Sequence, residues 1–158
     1  MDKIDHMLTR LAIENPGTQG RFKMAAAVVY RKHLIATGVN SYKTHPIMMP
    51  HNGYREGQIF LHAEVDAIRN ALRLIDQDQL TKCELRVVRV KRPHKNRLSW
   101  IHGLAKPCPG CTRVIANFGI EKVRWTENAD LVDSSVDLYD SRSYNNNTVS
   151  NKVHRLFN

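Results

Sequence analysis

The chain has 158 residues, a formal net charge of +9, and 42% hydrophobic and 25% charged residues. A chain of this length and composition can bury a core, so we predict one globular domain over residues 1–158 and exclude a wholly disordered protein. No apolar run reaches the length of a membrane span, and the acidic start lacks the basic region of a signal peptide. We therefore predict a cytoplasmic protein without membrane contact.

The first third of the chain predicts a helix, a hairpin and a loop. Apolar residues recur at helical spacing over 3–14 and predict an amphipathic first helix. Two short apolar runs at 24–30 and 34–38 predict a hairpin of buried strands. The segment 39–57 contains prolines, glycines and scattered polar residues, which predicts a long loop.

The rest of the chain alternates helices and strands. Apolar residues at steps of four and three residues predict a helix over 61–75. The later predicted elements are a strand at 85–90, a basic loop at 92–106, a helix from Pro109 to near Gly119 and a strand at 122–126. Because helices separate these strands, we predict an α/β protein with a partly parallel sheet and helices on its faces.

The positive charge is concentrated in one segment. Residues 85–120 contain no acidic residue, and their basic residues are Arg86, Arg89, Lys91, Arg92, Lys95, Arg97, Lys106 and Arg113. Such a field would attract phosphate, either on a nucleotide or along a nucleic acid. A solvated basic loop that aids solubility is the alternative interpretation.

Two short motifs carry side chains that can bind a metal. His-Ala-Glu occupies 62–64 at the start of one predicted helix, and Pro-Cys-Pro-Gly-Cys occupies 107–111 at the start of the next. A Cys-x-x-Cys turn that opens a helix can place two thiolates on one ion, and a histidine can supply a third ligand. We predict zinc bound by His62, Cys108 and Cys111, with the fourth position left for water as in catalytic sites.

Two other interpretations of the cysteines, a redox pair and a structural zinc site, explain fewer of the motif residues. A redox pair would leave His62 and Glu64 unused, and no strand is predicted directly before it. A structural zinc site would need a fourth ligand, and no further cysteine or histidine falls at the usual short spacing. Cys83 lies outside any ligand spacing and is predicted to be a core or edge cysteine.

The pattern His-x-Glu followed by Pro-Cys-x-x-Cys resembles that of the cytidine and deoxycytidylate deaminase superfamily. The resemblance covers about residues 22–126 and leaves a polar C-terminal region at 127–158. It implies a three-layer α/β/α fold with a mixed central sheet, bound Zn²⁺ and hydrolytic deamination of a nucleobase. Glu64 would be the catalytic residue, passing a proton of water to the ring and then to the leaving ammonia.

The resemblance also implies substrate-binding residues. Asn40 follows the second predicted strand, where the family has an asparagine that binds the sugar and part of the base. Ala63 lies between the ligand and the catalytic acid, and Lys43, His45 or Arg55 could meet a phosphate. A turn asparagine bonded to its own backbone is the alternative interpretation of Asn40.

Two classes of substrate remain open. The first is a cytosine-type base in a free nucleoside or nucleotide, such as dCMP, CMP or cytidine. The second is a base in single-stranded DNA or RNA, with the basic segment 86–106 following the phosphates and Trp100 either stacking on a base or packing in the core. A third class of function is a zinc-folded binding domain that catalyses no reaction, but such a domain would have no use for Glu64.

A homo-oligomer is also compatible with the apolar stripe of the first helix.

Overall fold

The computed structural model describes residues 2–20, 22–48, 60–93 and 99–129, together with the backbone of 144–145. The helices are α1 (Lys3–Glu14), α2 (Ala63–Ala71), α3 (Gln77–Leu80) and α4 (Pro109–Asn117), and a short 3-10 helix lies at Pro46–Met48. The strands are β1 (Phe22–Tyr30), β2 (His33–Val39), β3 (Glu84–Lys91), β4 (Ile101–Gly103), β5 (Lys122–Thr126) and β6 (Tyr144–Asn145). Their order follows the predicted alternation of helices and strands.

The strands form one mixed sheet in the order β2-β1-β3-β5-β6, and β4 pairs with β3. β1 is antiparallel to both β2 and β3, whereas β3 and β5 are parallel. β5 pairs with the first half of β3 and β4 with its last residues, so two strands share one edge of β3. The predicted partly parallel sheet is therefore confirmed.

Helices cover both faces of the sheet. On one face, Leu8 and Ala12 of α1 are fully buried and share a cluster with Val88 and Val90 of β3. On the other face, α2 and α4 form a second cluster that includes Ile68. This arrangement confirms the predicted three-layer α/β/α fold, and it shows that the apolar stripe of α1 packs in the core.

One basic residue of the predicted phosphate-attracting segment belongs to the interior, and that part of the prediction is wrong. Arg86 is 4% exposed, and its guanidinium lies 2.5 Å from Asp2, 3.2 Å from Asp5 and 2.8 Å from Glu84. Asp2 also caps the N-terminus of α1. Arg86 therefore connects the start of α1 to β3, and its charge is neutralised within the fold.

Three elements differ from the predicted ones. α2 ends at Ala71 and not at 75, although Ile75 still packs against the core. α3 was not predicted; a capping box between Asp76 and Gln79 stabilises this single turn, which is too short to show a hydrophobic period. β4 lies within the predicted loop 92–106, because a strand of three residues carries too little alternation to be recognised.

The polar region 127–158 is described only as far as Ala129 and at β6, which pairs with β5. The rest of this region lies outside the described residues, so the single domain over 1–158 stays a prediction. Among the helices that the structure describes, none has both the length and the apolar character needed to cross a membrane.

Candidate active site

Three side chains meet where α2 and α4 begin. His62 is the N-cap of α2, Cys108 is the N-cap of α4, and Cys111 lies in the first turn of α4. His62 Nδ1 lies 3.5 Å from Cys108 Sγ and 3.2 Å from Cys111 Sγ. The fold therefore brings together the three residues that the sequence predicts as metal ligands.

The Cys-Pro-Gly-Cys sequence forms the first turn of α4. Pro109 suits this position because its missing N–H would have no helical partner. The Cys111 N–H donates to Cys108 Sγ at 3.4 Å, and the Thr112 hydroxyl donates to the Cys108 carbonyl oxygen at 2.9 Å. A sulfur atom that caps the positive end of a helix is stabilised as a thiolate, which is the form that binds metal.

The donor set fits zinc. In tetrahedral zinc sites, bonds of about 2.0–2.3 Å place nitrogen and sulfur ligands about 3.6 Å apart, close to the 3.5 and 3.2 Å found here. Over the described part of the chain, His62, Cys108 and Cys111 are the one such donor group, and no fourth histidine, cysteine or carboxylate joins them. Three protein ligands suit a catalytic ion better than a closed structural one.

Protons and metal compete for the same three atoms. A hydrogen bond from Cys111 lowers the pKa of Cys108 to about 4, even though burial opposes this. The same pairing with Cys108 raises the pKa of Cys111 well above its usual value, and a hydrogen bond with Cys108 raises the pKa of His62. Metal binding must therefore displace protons from this cluster. As the pH is lowered, protons compete more strongly and the affinity for the metal decreases.

Glu64 lies in the first turn of α2, two residues after His62. Its side chain is 2% exposed, and its Oε2 atom makes no hydrogen bond to any residue in the described ranges. Burial raises the pKa of Glu64, while the neighbouring His62 lowers it. A buried carboxyl group with an unused oxygen beside metal ligands can accept a proton and return it.

Side chains of α2 attach this helix to the outer edge of β2. Asp66 Oδ2 accepts a hydrogen bond from the Val39 N–H at 3.1 Å, and Asn70 Nδ2 donates to the Thr37 carbonyl oxygen at 2.9 Å. A Cβ atom on Gly38 would lie within 2.6 Å of three backbone atoms of α2. Strand and helix are thus in direct backbone contact, and this contact sets the position of the residues at the start of α2.

Asn40 is bonded inside the protein through its carboxamide oxygen. Its Oδ1 accepts hydrogen bonds from the Met24 N–H at 2.8 Å and from Asn15 Nδ2 at 3.2 Å. Its Nδ2 makes no hydrogen bond to a described residue. Asn40 therefore does not bond to its own backbone as a turn asparagine would. The next residue, Ser41, donates its N–H to the Leu61 carbonyl oxygen at 2.9 Å, which places this segment beside the start of the metal site.

Lys43 and His45 lie on the segment that follows Asn40. The Lys43 carbonyl oxygen accepts the Leu61 N–H at 3.0 Å, and the Lys43 side chain is exposed. His45 Nδ1 accepts the Ile47 N–H at 3.2 Å, which leaves Nε2 as the ring nitrogen that can meet a ligand. Both residues therefore lie near the chain segment that leads into His62.

Other expected site residues have different outcomes. Ala63 is 0% exposed, so neither its side chain nor its backbone presents surface to a substrate in this structure, and Arg55 lies outside the described residues. Trp100 is 8% exposed and packs in the cluster on the α1 face, with the cations of Lys23 and Arg92 at 5.6 and 4.5 Å from its ring centre. The suggested stacking of Trp100 on a base is wrong, because the metal ligands lie on the other face of the sheet.

The segment between α1 and β1 contacts Asn40 and Tyr42, and no pattern in the sequence predicts these contacts. Asn15 is 2% exposed and bonds to Asn40. A Cβ atom on Gly17 would lie 3.2 Å from the Asn40 carbonyl oxygen, and one on Gly20 would lie 3.4 Å from the Tyr42 hydroxyl. The Asn-Pro-Gly sequence indicated only the end of a helix, and its position beside Asn40 follows from the pairing of β1 with β2.

One family model matches most of the chain. Its description is "Cytidine and deoxycytidylate deaminase zinc-binding region", and the match covers residues 2–127. No curated protein matches the chain.

Several solved structures are similar to the chain at low identity. A dCMP deaminase from the cyanophage S-TIM5 in apo form is 22% identical, with a TM-score of 0.45, over 84% of this chain and 90% of that chain. Its complex with dCMP and dUMP is 21% identical, with a TM-score of 0.45, over 78% of this chain and 75% of that chain. A variant of the cytidine deaminase from Mycobacterium tuberculosis is 17% identical, with a TM-score of 0.41, over 79% of this chain and 80% of that chain.

Proposed function

The chain belongs to the cytidine and deoxycytidylate deaminase family, and we propose that it deaminates a cytosine-type base in a free nucleoside or nucleotide. Membership rests on the family match over residues 2–127, which confirms the resemblance inferred from the two metal motifs. The protein is a zinc-dependent hydrolytic deaminase. Its proposed substrates are compounds such as dCMP, CMP and cytidine, and its products are the uracil form and ammonia.

The observation that carries this proposal is the position of Glu64 beside the metal ligands. Glu64 is buried, and its Oε2 atom has no hydrogen-bond partner among the described residues. A buried carboxylate oxygen without a hydrogen bond destabilises the fold, so a carboxylate in this position is expected where function requires it. A structural zinc site does not require it, whereas hydrolytic deamination needs a proton carrier at this place.

The protein's residues account for the proton transfers of the reaction. His62, Cys108 and Cys111 would hold zinc, which when bound acts as a Lewis acid and promotes the ionisation of water near neutral pH. Glu64 Oε2 accepts a proton as the water oxygen forms a bond to the ring carbon that carries the amino group, and Glu64 then delivers this proton to the ring nitrogen. Glu64 also transfers the second proton of water to the amino group. The C–N bond then breaks and ammonia leaves.

We propose that the segment after β2 binds the rest of the substrate. Asn40 would donate a hydrogen bond through Nδ2, the one polar atom of its side chain that the described residues leave unused. The exposed ammonium of Lys43 and the Nε2 atom of His45 would meet a phosphate when the substrate carries one. Ala63 would join this set only if neighbouring atoms moved on substrate binding, since the whole residue is 0% exposed.

A base in single-stranded DNA or RNA is the alternative substrate, and the described residues support it less well. It depends on free positive charge along 86–106. Buried ion pairs neutralise Arg86, whereas Arg89 and Lys91 keep their charge but direct N–H donors to a backbone carbonyl oxygen and a side-chain carboxamide. Lys106 is exposed and lies two residues before the ligand Cys108, so one described cation of this segment remains next to the site.

The test is a substrate panel with zinc-loaded protein. We expect ammonia release and uracil formation from dCMP, CMP or cytidine, and little or none from single-stranded DNA. Turnover of single-stranded DNA alone, with a KM that rises steeply with salt concentration, would establish the alternative. Absence of turnover on every cytosine compound would contradict the proposal.

Matched glutamate variants test the role of Glu64. Glu64→Gln should lower kcat by roughly a hundredfold or more while zinc content is retained, because Glu64 carries protons and does not bind the metal. Glu121→Gln, at an exposed position outside the site, should leave kcat unchanged. Wild-type activity in Glu64→Gln would refute the mechanism.

A further inference from the structure

The buried side chain of Asn15 contacts Asn40, the residue proposed above to bind the substrate. We infer that Asn15 is a positioning residue, which acts with the Met24 backbone to determine the polar atom of Asn40 that faces the substrate. This inference rests on the proposed function, because it needs Asn40 to contact the substrate. Asn15 itself would make no such contact.

The hydrogen bonds of Asn15 define its orientation. Its Nδ2 donates to the Asn40 carbonyl oxygen at 2.8 Å and to Asn40 Oδ1 at 3.2 Å, while its Oδ1 accepts the Gly17 N–H at 2.8 Å. Reversing this carboxamide would direct an oxygen at two oxygens and an NH₂ group at an N–H. The reversed orientation would therefore lose three hydrogen bonds in a buried place, where unsatisfied polar groups are costly.

Asn15 is also anchored through its backbone. Its N–H donates to the Ala12 carbonyl oxygen at 3.2 Å and closes the end of α1. The ammonium group of Lys23 donates to the carbonyl oxygens of Ile13 and Asn15, at 2.8 Å each. A cation bonded to the last carbonyl groups of a helix is favourable because those groups carry its negative partial charge. The helix end thus provides a rigid support for the Asn15 side chain.

Asn15 and the backbone of Met24 together determine the orientation of the Asn40 carboxamide. Asn40 Oδ1 accepts from two donors, Asn15 Nδ2 and the Met24 N–H. A reversed Asn40 would place its NH₂ group against both donors, so Asn40 keeps its oxygen inward and can offer a substrate only N–H donors. The substrate group that it recognises must then be an acceptor, such as a sugar hydroxyl oxygen or a base carbonyl oxygen.

Replacements of Asn15 test this inference. Asn15→Asp keeps the shape of the side chain but replaces the donor by a carboxylate oxygen that faces two oxygens of Asn40. Asn15→Ala removes the donor without that repulsion. We expect both variants to raise KM for the cytosine substrates, by roughly tenfold in Asn15→Asp and less in Asn15→Ala, with kcat and zinc content nearly unchanged.

The control is a buried polar residue of α1 that does not contact Asn40. Thr9 donates its hydroxyl hydrogen to the Asp5 carbonyl oxygen and lies 3.1 Å from His102 Nε2. Thr9→Val should lower the midpoint of thermal unfolding without a change in KM. The side-chain NH₂ resonances of Asn40, observed by NMR with [¹⁵N]asparagine labelling, should shift in both Asn15 variants and stay in place in Thr9→Val.

The outcomes separate this inference from the proposed function. A raised KM in Asn40→Ala together with wild-type KM in both Asn15 variants would overturn the inference alone. A wild-type KM in Asn40→Ala would overturn both the role of Asn40 and the inference. If no cytosine compound is turned over, unchanged Asn40 resonances in both Asn15 variants would overturn the positioning contact, and shifted resonances would support it.

Discussion

A Cβ atom placed on Gly38 would lie 2.2 Å from the amide nitrogen of Ala67, which is far inside any real contact between such atoms. The same atom would lie 2.6 Å from the Ala63 carbonyl oxygen. β2 and α2 can therefore approach this closely only because residue 38 has no side chain. The contact matters for catalysis because Glu64 and the metal ligand His62 lie at the start of the same helix.

Gly38→Ala should force α2 away from the sheet. We expect a loss of about 3 kcal/mol in the free energy of unfolding, measured by urea denaturation, and a large fall in kcat. Gly103→Ala is the matched control: its added Cβ would lie 3.3–3.4 Å from the flexible side chains of Lys91 and Arg89. Equal stability losses in the two variants would show that the close approach of β2 and α2 does not depend on the missing side chain at residue 38.

Removal of the metal should abolish activity and lower stability together. Cys111→Ser, or treatment of the wild type with dipicolinate, should remove zinc and reduce kcat by roughly a hundredfold or more. Zinc per chain is measured by mass spectrometry and stability by thermal unfolding. Cys83→Ala is the control, since Cys83 is buried outside the donor set. It should keep one zinc per chain, and a loss of zinc there would contradict our assignment of the ligands.

Arg86→Met should destabilise the fold without weakening substrate binding. The change leaves the carboxylate of Asp5, which is 1% exposed, without its cation. Breaking a buried ion pair from one side costs about 3–5 kcal/mol. Arg10→Met is the control, because Arg10 and its partner Glu14 are exposed and such pairs contribute little. A raised KM with normal stability in Arg86→Met would instead support a phosphate-binding role for Arg86.

His102 should make stability depend on pH. Burial, together with the charge of His6, lowers the pKa of His102 to about 4. In the unfolded chain the ring protonates near pH 6.5. The contribution of neutral His102 to the free energy of unfolding is therefore fully present above pH 6.5. It is lost as the pH falls from 6.5 to 4, by up to about 3 kcal/mol.

The comparison of wild type with His102→Gln isolates this contribution. Both proteins also lose zinc affinity at low pH, so the free energy of unfolding is measured in urea at pH 7.5 and pH 5 with zinc content recorded. We expect the wild type to lose more stability than His102→Gln over this interval. The same loss in both proteins would exclude His102 as the source.

The local elements of the fold could be predicted because each has a signal in adjacent residues. The helical period identified α1 over its full length, 3–14. Pro109 within Cys-Pro-Gly-Cys marked the start of α4. α3 and β4 were missed because four and three residues are too few to show a period.

The residue types at the site are enough to indicate its chemistry. A histidine, two cysteines and a glutamate at these spacings are the residue types that bind zinc and move a proton, and each lies at a helix start that local sequence signals indicate. Which polar groups remain available for a ligand depends on contacts between segments that are distant in the chain. Arg86 is bonded to acids on α1, and Asn40 is held through its oxygen by Asn15. These outcomes depend on distances between residues far apart in the chain, and those distances exist only once the strands have paired and the helices have packed on the sheet.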